Sequence, residues 1–187
     1  MLNFSQDYIL ENGRVRIRPM QVADAELLLP FAVQEPELWK YSLQQADSPE
    51  KMKRYIEKAV EGRLQQHSYP FVVLDKLTNA WAGSTRLYYI QLAQATLSLG
   101  YTWLGKRFQG TGLNTNCKFL LLQFAFESLQ MERVEFRADL ENKRSIEAMK
   151  KIGCVVEGVL RKNTFRTDGS RRDSIVLSVL KEEWFLS

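Results

Sequence analysis

The sequence predicts one mixed α/β domain of α+β character, with helices flanking a central, mostly antiparallel sheet that contains a single parallel β-α-β crossover. Residues 96–104 alternate with Leu97, Leu99, Tyr101 and Trp103 on one side, and residues 133–139 alternate with Val134, Phe136 and Ala138 on one side. Between them lies the most apolar helical stretch of the chain, 113–129. A strand, a helix and a strand so connected must run parallel, because the chain returns to its starting end through the helix. The remaining strands fall in pairs around turn residues, as hairpins do. With 187 residues, 45% hydrophobic and 26% charged, the chain can bury one core. Its connections are short and it has no low-complexity linker or repeat, so residues 1–187 read as one domain.

The elements follow in order. Residues 14–18 place Val15 and Ile17 on one face of a strand that Pro19 stops, and 21–33 carry Leu27, Leu28 and Phe31 at helical spacing. A second helix is marked by Ser48 as N-cap and Pro49 as its first residue, followed by Met52, Tyr55, Ile56, Ala59 and Val60. Residues 71–74 and 81–90 are strands around the turn-rich 75–79. After the crossover, 143–152 forms a short helix ending at Gly153, a natural residue for leaving a helix. Two closing strands, 155–165 and 173–180, flank the turn at Thr167, Asp168, Gly169 and Ser170. The order is β-α-α-β-β-β-α-β-α-β-β.

Composition excludes several classes. Lys and Arg exceed Asp and Glu by 26 − 22 = 4, which suits an anionic ligand without selecting one. No helix-turn-helix, zinc or RNP-like motif accompanies that charge, so no specific nucleic-acid partner is expected. Cys117, Cys154 and the lone His67 make no metal site, and both cysteines sit in apolar neighbourhoods as buried free thiols do. The first ten residues lack a basic stretch followed by an apolar one, and no segment reaches membrane-spanning length. The expected location is cytoplasmic.

Chemistry concentrates in residues 103–115, which run from a strand through a loop into a helix. A helix start leaves unpaired N–H groups and a partial positive charge, and Gly110 and Gly112 let that backbone approach a ligand. A pyrophosphate is a natural guest. Two glycines one residue apart also suit a plain tight turn, whereas the dinucleotide fingerprint wants a glycine or alanine where Thr115 stands.

The run Arg107, Phe108, Gln109, Gly110, Thr111, Gly112 resembles the acyl-CoA-binding signature of the GNAT superfamily of acetyltransferases. Downstream, 133–137, 142–145, 149–153 and 157–161 stand in that family's order and spacing, with 168–169, 172–174 and 183–184 similar to its Rim-type branch, which includes ribosomal-protein N-terminal acetyltransferases. Val15 to Pro19 with Asp24 resemble that branch as well. One departure is that Gly105 and Lys106 stand where many Rim-type sequences carry His-Pro. The resemblance implies a GNAT-type fold and transfer of an acetyl group from acetyl-CoA to a primary amine, on a protein N-terminus or a small molecule, with no metal. It also suggests a homodimer.

It further implies residue roles. Main-chain groups of Trp103 and Leu104 should pair with the pantetheine arm and polarise the thioester carbonyl, while amides from Phe108 to Gly112 and the Thr115 hydroxyl hold the pyrophosphate. Asn142 should bind a pantetheine amide, although it is equally a good helix N-cap, and Ser145 should donate to the leaving sulfur, although it too suits a surface helix. Glu135 is the candidate base, with a surface ion pair to Arg137 as the plainer reading, and Asp173 is a second candidate. Arg171 and Arg172 either face an acidic substrate or tRNA or form a solvated turn pair. Trp39, Tyr41, Tyr55 and Tyr69 are either an acceptor wall or core. A catalytically silent acyl-CoA-binding regulator or partner-binding module remains the alternative, separated from an enzyme by an assay for CoA release.

Overall fold

The computed structural model describes residues 2–186; Met1 and Ser187 lie outside the described residues. Among the described residues, eight strands form one sheet: β1 (Leu10–Glu11), β2 (Val15–Pro19), β3 (Ser68–Asp75), β4 (Ala80–Gln91), β5 (Thr96–Leu104), β6 (Arg133–Asp139), β7 (Val155–Phe165) and β8 (Arg171–Leu180). Their spatial order is β1-β2-β3-β4-β5-β6-β8-β7. Every neighbouring pair is antiparallel except β5 with β6, the parallel crossover. The helices are α1 (Asp24–Gln34), α2 (Pro49–Leu64), α3 (Leu113–Gln123), α4 (Lys143–Lys150) and α5 (Lys181–Leu186).

Register fixes what each face of the sheet carries. Tyr88 pairs with Ser98 and Ser98 with Glu135, while Leu87 pairs with Leu99 and Leu97 with Val134. Since directly paired residues share a face, Ser84, Arg86, Tyr88, Glu135, Arg137 and Asp139 lie on one side and Leu87, Leu97, Val134 and Phe136 on the other. Helix α2 covers the first side, where the Tyr55 and Ser84 hydroxyls meet at 3.3 Å. Helix α3 covers the second, where Lys118 Nζ stands 4.7 Å from the Phe136 ring centre. One contiguous apolar core runs through both layers.

Several boundaries differ from the expectation for local reasons. Helix α1 begins at Asp24, whose carboxylate accepts the Gln21 amide at 2.7 Å and grips Arg18 at 2.6 and 2.9 Å, and the helix runs through Pro30. The second helix matches its marks, the Ser48 hydroxyl accepting from the Lys51 amide. The long apolar helix is α3 plus a π-helical turn, Phe124–Ser128, that widens before β6. Helix α4 stops at Lys150, and Gly153 turns the chain at φ 89°. The short strand β1, a 3-10 turn at Pro36–Trp39 and helix α5 were not anticipated. Both cysteines are free and buried, and burial pushes the Cys117 thiol up to about 12 and that of Cys154 up to about 11. Among the described residues no helix is long and apolar enough to cross a membrane, and no group of side chains could hold a metal ion.

Candidate active site

The site begins where two parallel strands part. Strands β5 and β6 are joined only through Thr96↔Arg133, Leu97↔Val134 and Ser98↔Glu135. Beyond Ser98, β5 stays with β4 as far as Leu104, while β6 stays with β8 as far as Asp139. The middle of the sheet therefore opens, and the outward edge of β5 loses its partner. A bulge sharpens the divergence: Ser84 pairs with Trp103 and Arg86 with Gly100, so three residues of β5 advance against two of β4, and Tyr101 takes φ 51°.

This register orients Trp103 differently from Leu104. The Gly105 amide donates to Ala82 O at 2.9 Å, and the Trp103 carbonyl presses against Gly83, so both residues turn their main chain towards β4. Leu104, between them, faces the opening, and its carbonyl accepts from Gln109 Nε2 at 2.7 Å. The Trp103 side chain is buried, packed edge-on against Phe31 and Trp39.

The glycine loop closes one end of the opening. Gly110 and Gly112 hold φ 74° and 82°, a left-handed backbone that other residues rarely adopt. A β-carbon on either would meet nothing within 4 Å, so the space before them is open. The amides of Gly110, Thr111 and Gly112 have no acceptor among the described residues, and Thr115 is exposed at the start of α3. Gln109 also meets Arg144 of α4, and the Thr111 hydroxyl bridges Phe108 O at 2.8 Å and Arg14 Nη2 at 3.2 Å. Arg107 is exposed and lies over the Phe108 ring, which is buried. The departure at Gly105 and Lys106 has a structural counterpart. A β-carbon at Gly105 would collide with the Phe31 ring of α1, and the Lys106 amide donates to Glu35 at 2.7 Å. The end of α1 thus holds the approach to the loop.

The other expected residues are placed as follows. Asn142 caps α4, its Oδ1 accepting from the Ser145 amide at 3.2 Å, which leaves its amide group free. Ser145 is half-buried, and its hydroxyl has no partner among the described residues. Glu135 stands at the closed end of the opening, bound by Arg133 at 3.1 Å and Arg137 at 2.7 Å. Asp173 lies elsewhere, on the opposite side of β8 from Ser174, accepting the Lys162 amide at 2.7 Å where β7 bulges. Its carboxylate holds that bulge and borders a cavity of about 620 Å³ with Val159 and Leu160. Tyr69 belongs to the core, its hydroxyl donating to Gln6 O, whereas Trp39 and Tyr55 pack beside the opening.

Sequence reasoning missed the charged floor of this face. Arg172 is buried at 6% exposure rather than solvated, 3.8 Å from Asp139. Asp139 also receives Arg166 at 2.9 and 3.0 Å. Burial is the largest single influence on the Asp139 carboxylate and works against it, but the Arg166 hydrogen bonds, the Glu141 amide and the charges of Arg166 and Arg172 together outweigh it and hold its pKa below the ordinary value. Burial, with Tyr101 beside it, pushes the Tyr88 hydroxyl up to about 12. Arg86, the single charge in the twelve residues of β4, is buried on the same face. That lone charge in a strand otherwise without one was the available signal.

Comparison with known proteins agrees with this architecture. Residues 14–155 match the family model for the acetyltransferase (GNAT) domain. A Bacillus subtilis (strain 168) protein named "Putative ribosomal N-acetyltransferase YdaF" is 27% identical over 92% of this chain and 94% of its own length. A GCN5-related N-acetyltransferase from Brucella melitensis superposes with a TM-score of 0.88 at 24% identity, over 96% of this chain and 81% of that one. The ribosomal-protein-S5-alanine acetyltransferase of Vibrio fischeri superposes with a TM-score of 0.77 at 21% identity, over 95% and 99%. The chain belongs to the GNAT family and is an acetyl-CoA-dependent acetyltransferase.

Proposed function

We propose that the protein moves the acetyl group of acetyl-CoA onto a primary α-amine by direct attack. The observation that carries this reading is the unpaired edge of β5 leading to a loop with two left-handed glycines and unpaired amides. Extended pantetheine can lie along that edge as an added strand, using the Leu104 main chain and the free amide of Asn142. The pyrophosphate then meets the N–H groups from Gly110 to Gly112 and the Thr115 hydroxyl, in an arrangement that favours anions.

Transfer requires a neutral amine. An α-amine, with reference pKa about 7.7–8.0, is roughly one-tenth neutral at pH 7, whereas a lysine near 10.4 is under about a thousandth neutral. An α-amine therefore needs only modest help, which Glu135 supplies by accepting a proton through water from the closed end of the opening. The amine nitrogen bonds to the thioester carbon, the carbon–sulfur bond breaks, and Ser145 donates a hydrogen bond to the departing sulfur. Ser145 remains protonated, being far less acidic than a thiol near 8.5. The ribosomal acceptor in YdaF's name supports a protein N-terminus as acceptor for this chain.

Gly110→Val and Gly112→Val test the assignment. Each forces a β-branched side chain into a left-handed backbone and into the space reserved for phosphate, so affinity for CoA measured by calorimetry should fall about tenfold or more. Unchanged affinity in both folded variants would place the cofactor elsewhere.

A further inference from the structure

Arg86 is 6% exposed, and its guanidinium lies 4.3 Å from the Tyr101 ring centre and 5.5 Å from that of Tyr55. Its Nε and Nη2 have no hydrogen-bond partner, and no carboxylate is within ion-pair distance among the described residues. An arginine cannot shed its charge, and stacking on two rings satisfies none of its in-plane donors. The carboxylates of this face are already committed, Glu135 to Arg133 and Arg137, Asp139 to Arg166 and Arg172. Two further unpartnered donors, Nε1 of Trp39 and Nε1 of Trp103, belong to rings that reach the same Tyr55, Trp103 by way of Trp39. Trp39 touches both Tyr55 and Trp103, at 5.8 and 4.9 Å between ring centres.

All of these orphans are donors. A buried group without a partner is costly, and a cluster of one polarity awaits a guest of the other. The position fits the acceptor rather than the cofactor. Arg86 pairs with Gly100, two residues past the last β5–β6 pair, and its ring partner Tyr101 is the bulged residue at the mouth of the opening. Resting on the acetyltransferase reading above, we infer that the acceptor amine carries a carboxylate that pairs with Arg86. That class comprises free amino acids and peptides with an acidic side chain next to the N-terminus. It excludes polyamines and other polycationic amines, which this floor of arginines repels.

The test measures CoA release with alanine, Ala-Asp-Ala-amide, its uncharged twin Ala-Asn-Ala-amide, alaninamide and spermidine, in the wild type and in Arg86→Gln and Arg86→Lys. The carboxylated acceptor should exceed its neutral twin about tenfold or more in kcat/KM, as for a buried charge pair. That ratio should collapse towards one in Arg86→Gln and fall partly in Arg86→Lys, which keeps the charge but not the planar fork. Preference for alanine over alaninamide would identify a free amino acid, and preference confined to the peptide pair would identify an acidic N-terminus. Equal rates on twin substrates, a faster rate on spermidine, or a ratio that persists in folded Arg86→Gln would overturn the inference. Should no amine release CoA, calorimetry of Ala-Asp-Ala-amide into the CoA-loaded protein still decides. Binding lost in Arg86→Gln upholds the Arg86 site and sinks only the transfer reading, while no binding by the wild type overturns the site itself.

Discussion

Ser145 illustrates how much depends on a single hydroxyl. Its amide is fixed by the Asn142 cap, so the side chain is held in place at the third position of α4 while the hydroxyl stays unengaged. A hydrogen bond that forms as charge develops on sulfur stabilises the transition state and not the ground state. Ser145→Ala should therefore lower kcat about tenfold or more with little change in CoA affinity, read by steady-state kinetics beside calorimetry. Equal rates in variant and wild type would remove Ser145 from the chemistry. The same scale shows why a carboxylate's location outranks its type. Glu135 and Asp173 look alike in sequence, yet one stands in the opening and the other holds a backbone bulge.

At the level of elements, the approach to the loop is a contact between α1 and residue 105. Gly105 and Lys106 stand where many Rim-type sequences carry His-Pro, and the Phe31 ring occupies the space a side chain at 105 would need. Gly105→Ala should destabilise the protein by about 1–3 kcal/mol through overpacking, and Phe31→Leu in the same chain should recover part of that loss, as urea unfolding of the double-mutant cycle would show. Additive effects would mean that the ring moves aside freely. Elements with strong local marks were legible in the sequence: the Ser48–Pro49 helix start, the alternation of β5 and β6, and the crossover between them. What escaped depends on tertiary pairing. The two residues of β1 pair within the sheet with β2 alone, and α5 follows β8 without a break. The candidate loop was legible through its glycines. The arginine floor was not, because alternation alone does not say which side of β4 and β8 is buried.

For the molecule as a whole, the sheet ends on an eleven-residue strand that is largely exposed among the described residues. β7 exposes Val155, Val156, Val159, Leu160 and Phe165 along an unpaired edge, a surface that invites pairing with another chain. A homodimer through β7 is the expected arrangement, and light scattering at micromolar concentration should give twice the chain mass, falling to the monomer in Val159→Asp. A monomer in the wild type would refute it. The Asp139 ion cluster carries a different whole-molecule consequence, in acid. Its carboxylate clamps β6 to Arg166 at the end of β7 and Arg172 of β8, and the adjoining Thr167 hydroxyl accepts from Gln45 between α1 and α2. Because the folded pKa is depressed, this clamp contributes fully above the unfolded value near 3.9, weakens as pH falls below it and is lost through the still lower folded value. Asp139→Asn should lower stability at pH 7 by about 3–5 kcal/mol, since it leaves the buried Arg172 without its carboxylate. Its melting temperature should then change less than the wild type's between pH 5 and 3, and parallel losses in both would exonerate the cluster. Acid would thus release first the outer hairpin that braces the acceptor side, so that catalysis fails before the sheet does.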